Sequence, residues 1–164
     1  TMIKDITSLN IRIAHEVRGC STFLIKQLYS NSFENTLILS SPGSGKTTLL
    51  RDMIRELSLL GNNISVVDER SEIAAMYKGL AQNDLGPRTD IMNNCRKATG
   101  IRMMIRSMSP NIIATDEIGD SKDIEAIYEA NFAGIKLLLT AHGDDLQDVP
   151  EKLLKKKLFK NSFI

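Results

Sequence analysis

The sequence is short of everything that would carry it into a membrane or cross-link it. Its apolar runs fall well below the ~20 residues that a bilayer-spanning helix needs, and no charged-then-apolar leader opens the chain. The expectation is a soluble protein that stays in the compartment where it is made. Cysteine is scarce as well: Cys20 and Cys95 lie far apart without C-x-x-C spacing, which supports neither a disulfide framework nor a zinc site. Neither sign of charge is in surplus, with 21 basic residues against 20 acidic ones. That balance argues against a strongly electrostatic nucleic-acid binder, while leaving room for a local basic stripe near the end.

What is present suits a soluble α/β domain. At 164 residues the chain is long enough for one domain with a real core and too short for two comfortable ones. Its expected parts are a lead-in over 1–35, a nucleotide-binding core over 36–148 and a basic segment over 149–164. Thr1 and Ile164 carry no domain-edge signal, which suits a piece of a longer protein.

The most informative stretch is Leu37 to Leu50, LILSSPGSGKTTLL. It reads as an apolar strand, a glycine-broken loop and the start of a helix. Gly43 and Gly45 can take positive φ without a Cβ penalty, so successive backbone N–H groups can turn inward around an anion, which makes Ser41, Pro42, Gly43, Ser44, Gly45, Lys46, Thr47 and Thr48 the phosphate-binding stretch. A helix N-terminus adds unpartnered N–H groups and a favourable dipole. Lys46 supplies a mobile charge for the β- and γ-phosphates, and Thr47 a hydroxyl for Mg²⁺. The pattern G-x-x-x-x-G-K-[ST] is met except at its first position, which is Ser40. The plain alternative is an ordinary glycine turn between strand and helix.

Around this loop the hydrophobic periods alternate. Residues 6–18 are ambiguous and read best as a strand entering a short helix, and 20–29 as a helix. Thr36–Ser40, Ile64–Val67, Ile112–Thr115 and Lys136–Ala141 are short, mostly apolar runs, expected as strands covered on both faces. Helices are expected over 47–60, 99–108 and 121–132, the last capped by Asp120 or Ser121. Residues 77–95, with Gly79, Gly86 and Pro87, are expected to be irregular. The order predicts a mainly parallel twisted sheet with helices on both faces, whose ligand sits at the carboxyl ends of the strands.

All four strands end in chemically loaded residues. Asp116 and Glu117 leave the third in different directions, so Asp116 is assigned to Mg²⁺ and Glu117 to orienting a water, against a solvated acidic loop. His142 ends the fourth, either as a satisfied buried histidine or as a hydrogen-bonding reporter of the γ-phosphate. Asp68 and Glu69 end the second, either as further acids for water or metal or as partners of Arg70 or Arg88; Glu69 is the reserve base should Glu117 not serve. Arg70, Arg88, Arg102 and Arg106 are candidates for phosphate contact within or between subunits. Lys152–Lys160 reads as the solvated face of an amphipathic helix with Leu153, Leu154 and Leu158 inward, or as a contact for anionic lipid or nucleic acid.

With those residues placed, the chain resembles the secretion-type ATPases of type II and type IV secretion and pilus machines. Four boxes match in order: SSPGSGKTT at 40–48 (Walker A), VVDERSE at 66–72 (aspartate box), IIATDEIGD at 112–120 (Walker B) and TAHGDD at 140–145 (histidine box). IRIAHEVRGC, RTDIM and IRSMSP, with Arg106, bring it closer to the member of that family found in endospore-forming bacteria. The resemblance implies a RecA-like P-loop core that binds ATP with Mg²⁺ and works as a hexamer. It also implies coupling to a membrane-embedded platform, here the channel between mother cell and forespore, from the mother-cell cytoplasm and without a specific nucleic acid. A nucleic-acid motor on the same core is the alternative reading.

Overall fold

Leucine and β-branched side chains at both parities of a short run can only be satisfied by apolar cover on both faces, and four such runs form the middle of one sheet. The computed structural model describes residues 7–9, 16–29, 32–143, 148, 153, 158, 159 and 161–163. Within them the elements are α1 (Thr22–Leu28), β1 (Thr36–Ser40), α2 (Lys46–Leu59), β2 (Ile64–Asp68), β3 (Thr89–Asn93), α3 (Lys97–Met108), β4 (Ile112–Thr115), α4 (Ser121–Phe132), β5 (Lys136–His142) and β6 (Asn161–Phe163). The sheet order is β3-β2-β4-β5-β1-β6, and every pairing is parallel.

Alternation along the strands divides the core in two. Leu37, Leu39, Val67, Ile113, Leu137 and Leu139 meet α3 and α4 through Ile101, Met104, Ile124 and Ile127. Ile38, Ile64, Val66, Ile112, Ala114 and Leu138 meet α1 and α2 through Ile25, Leu50, Met53, Ile54 and Leu57. Gly100 lets α3 lie close to β2: a Cβ there would come within 2.5 Å of Val67 Cγ1. Asp120 caps α4 by accepting the amide of Lys122.

Two expectations are corrected. Residues 77–95 are not irregular throughout, because Thr89–Asn93 forms the β3 edge. An edge strand with one neighbour and partly exposed residues needs no unbroken apolar run. The last segment keeps Leu153 and Leu158 inward as expected, buried in the core beside Leu37 and Leu139, but it is not helical to its end, and Asn161–Phe163 extends the sheet beside β1. Leu153 is helical and Leu158 is not; Leu154 and all five lysines of the run lie outside the described residues. Most of 6–18 also lies outside them, and its described residues are not in helix or strand. None of the described helices is long and apolar enough to cross a membrane.

Candidate functional site

In a parallel sheet the carboxyl ends of neighbouring strands deliver their next residues to one edge. β5 lies between β1 and β4, so the histidine of one strand, the loop of the second and the acids of the third meet there. Ser40 is in register with His142, and Leu139 with Thr115.

From β1 the chain turns through the loop into α2. Gly43 and Gly45 have φ of 79° and 97°, and a Cβ would meet nothing at either, so the need for glycine is conformational. Gly45 is the N-cap of α2 and brings no side-chain cap; the first turn carries no acid, so an anion meets no competing carboxylate from the helix itself. Lys46 is nearly buried, and its Nζ donates to Ser40 O at 2.7 Å and Ser41 O at 2.8 Å, two of its three protons. Ser40, the departure from the Walker A pattern, ends a regular strand outside the left-handed region, so no glycine is required there. Its hydroxyl bonds that of Ser44, which lies 2.8 Å from Ser41 O, so both serines brace the loop from within.

Pro42, Gly43, Gly45, Lys46, Thr47 and Thr48 line a cavity of about 190 Å³ whose other wall is Glu72, Glu117 and His142. Larger recesses exist, of about 420 Å³ at the opposite end of the sheet and about 510 Å³ beside α3. Convergent chemistry rather than volume distinguishes the smaller one.

Glu117 is the most constrained of these residues. Its φ of 43° is left-handed, a conformation that costs a non-glycine residue about 1–3 kcal/mol and persists only where neighbours impose it. Its amide donates to Thr140 Oγ1 at 2.9 Å, and the next amide, Ile118, donates to Thr140 O at 2.9 Å. Its carboxylate lies 3.0 Å from His142 Nε2 through one oxygen and 2.9 Å from Arg70 Nη1 through the other. His142 is 45% exposed in its side chain, which overturns the buried-histidine alternative.

Asp116, by contrast, is 3% exposed. Burial pushes its carboxyl up to about 6; Lys97 opposes this, while Asp68, Glu72 and Glu117 add to it. Its carboxyl thus sits out of water among three other acids, with Lys97 the base that opposes them.

The aspartate box behaves differently from expectation. Asp68 is fully buried, and its carboxylate accepts the amides of Glu72 at 2.9 Å, Ile73 at 3.1 Å and Ala74 at 2.8 Å. It pairs with neither Arg70 nor Arg88, and its three amide bonds build a turn. Glu69 is also corrected: it points away from the cavity to Lys97 Nζ, 2.8 Å away, in the recess beside α3. The acid that faces the cavity is Glu72, which sequence reasoning passed over. Asp68 holds its amide, and Arg51 Nη2 donates to its carbonyl at 2.6 Å. The available signal was its membership of the same VVDERSE run.

The arginines separate as well. Arg102 forks onto Glu129, Arg88 donates to Asn63, and Arg106 sits in the last turn of α3, where its charge acts on Glu129. None of those three lines the cavity, whereas Arg70 reaches one of its walls.

The family model described as "Sporulation stage III, protein AA" matches residues 1–164. The chain is 43% identical over 162 residues to stage III sporulation protein AA of Bacillus subtilis (strain 168), covering 96% of this chain and 53% of that protein. It is 28% identical over 106 residues to the putative type II secretion system protein E of Escherichia coli (strain K12), covering 65% of this chain and 20% of the relative. Among solved structures, the Legionella pneumophila ATPase DotB superposes with a TM-score of 0.62 at 19% identity, over 85% of this chain and 39% of DotB. That likeness shows the fold, a RecA-like P-loop core. The chain spans about half the length of its Bacillus relative. With its whole length matched by one model, the chain belongs to the sporulation stage III protein AA family.

Proposed function

We propose that this chain is the catalytic core of a secretion-type motor that hydrolyses ATP with Mg²⁺. One observation carries the reading: loop, acids and histidine that follow or end four adjacent strands line one cavity. The loop residues Ser41–Thr48 cradle the phosphates, Lys46 neutralises the β- and γ-phosphates, and His142 hydrogen-bonds the γ-phosphate. Glu117 orients the attacking water and receives its proton, and Glu72, in place of Glu69, is the second acid at the cavity wall. Arg106 has no place in the cavity of its own chain, so its assignment is to the phosphates of a neighbouring subunit. Catalysis is then mainly positioning and charge stabilisation.

The residues fit the metal. Thr47 and Asp116 would hold Mg²⁺, and a divalent cation there would favour the charged form of a buried carboxyl that has Asp68, Glu72 and Glu117 as neighbours. Among the described residues no group of three or more histidines, cysteines or acids is gathered to hold a metal alone. Mg²⁺ suits such a site, since it keeps several waters and takes oxygens from phosphate. Bound there, it would neutralise charge on the transferring phosphoryl group.

We extend the proposal to the whole protein: a single ATPase domain within a longer chain, assembled as a hexamer in the mother-cell cytoplasm. It would energise the mother cell–forespore channel through a membrane-embedded partner. The test is ATPase rate against protein concentration, with and without DNA. The reading expects hydrolysis that rises faster than linearly with concentration and ignores DNA. Lys46→Ala should abolish nucleotide binding or turnover, and Glu117→Gln should bind ATP without hydrolysing it. DNA-stimulated, salt-sensitive turnover would favour the nucleic-acid motor instead.

A further inference from the structure

Resting on the hydrolytic reading of Glu117 above, we propose that Arg70 is a positioning residue: with His142 it takes the two oxygens of the Glu117 carboxylate and fixes where that carboxylate points across the cavity. The two contacts come from opposite neighbours. His142 arrives from the end of β5 and Arg70 from the turn after β2, so β4's acid is held from both sides.

The turn that presents Arg70 is itself rigid. Asp68 and Glu72 flank it, and three amides beyond it are gathered by the buried Asp68 carboxylate. Ser71 follows in the left-handed region with φ of 58°, and its hydroxyl accepts the amide of Met76 at 2.9 Å. The base of the Arg70 side chain is thus fixed relative to the strand ends.

Stability does not account for this contact. Arg70 is 64% exposed in its side chain, and ion pairs that exposed contribute little to folding. Orientation does account for it. Thr140 fixes the Glu117 backbone but leaves the side-chain torsions free, so the two carboxylate contacts supply what the backbone bonds lack.

The experiment compares wild type, Arg70→Ala and Arg70→Lys in steady-state ATPase assays and in NMR spectra of the His142 ring recorded without nucleotide. Arg70→Ala is expected to lower kcat about tenfold while KM for ATP stays within about threefold. Arg70→Lys should recover part of the loss, because it restores charge without the fork. In a Glu117→Gln background, Arg70→Ala should change the residual rate no further. The His142 signal should move in Arg70→Ala and less in Arg70→Lys, with the melting temperature unchanged. An unmoved His142 signal, or a rise in KM at constant kcat, overturns the proposal. A wild-type chain that hydrolyses nothing while its His142 signal still follows Arg70 overturns the ATPase reading and supports the grip on Glu117.

Discussion

Asp52 on α2 receives both the amide and the hydroxyl of Ser21 on a single carboxylate oxygen, each at 2.7 Å, from 31 residues earlier in the chain. Its other oxygen takes the amide of Gly19 at 3.0 Å and Arg55 Nη2 at 2.8 Å. The segment leading into α1 is thereby fastened to the helix that follows the phosphate loop.

That fastening is sensitive to acid. Burial alone would raise the Asp52 carboxyl, but the donors from Ser21, Arg55 and Gly19 outweigh it and hold it at about 2 against an ordinary 3.8. A depressed acid stabilises the fold above its unfolded value and loses that contribution as pH falls through its folded one. The difference is roughly 2 kcal/mol. Urea denaturation of wild type and Asp52→Ala should show a gap that is constant above pH 4 and shrinks by about that amount towards pH 2.

Asp116 should behave in the opposite sense. Between 3.8 and about 6 the folded chain holds a proton that the unfolded chain has lost. Stability therefore falls as pH rises through that window, by up to about 3 kcal/mol. Asp116→Asn, which cannot titrate, should be more stable than wild type at pH 7 and equal to it near pH 4. Melting temperatures without Mg²⁺ or nucleotide would check this, and a stabilised but inactive variant would mark a residue kept for function.

The two glutamates of the aspartate box should separate cleanly. Glu69→Gln removes the charge opposite the buried Lys97 ammonium and should cost about 1–3 kcal/mol of stability while ATP hydrolysis stays within a few-fold. Glu72→Gln leaves its backbone bonds to Asp68 and Arg51 in place and should lower hydrolysis at least about tenfold with little loss of stability. Paired unfolding and ATPase measurements would distinguish them.

Gly100→Ala tests the approach of α3 to β2. The new methyl would meet Val67 Cγ1 at 2.5 Å and Met92 Sδ at 3.5 Å, so overpacking should cost about 1–3 kcal/mol despite alanine's better helix propensity. Chemical denaturation of this variant is the measurement.

The central strands and the helices between them were legible because burial on two faces leaves an apolar signature, as in Ile112–Thr115 and Lys136–Ala141. β3 left none: Thr89–Asn93 is a partly exposed edge, and its polar residues look like loop. At the site, the acids and the histidine were readable from the strand ends that carry them, since a parallel sheet gathers those ends whatever the side chains are. Which acid faces the loop was not readable. Glu69 and Glu72 stand three residues apart, and the choice is made by Ser71 in the left-handed region and by amides closing on Asp68. Neither leaves a period in the sequence. Ser40 likewise looked like a defect in a motif until the strand end and the Ser44 contact made glycine unnecessary there.

Arg51 stands one helical turn beyond Thr47 on α2, and it grips the carbonyl of Glu72. A nucleotide that drew the start of α2 by a fraction of an ångström would pull on the aspartate-box turn as a crank pulls a rod, with Glu72 at the joint and Arg70 beside it. The far wall of the cavity would then feel phosphate at the near wall with no ligand bridging the two.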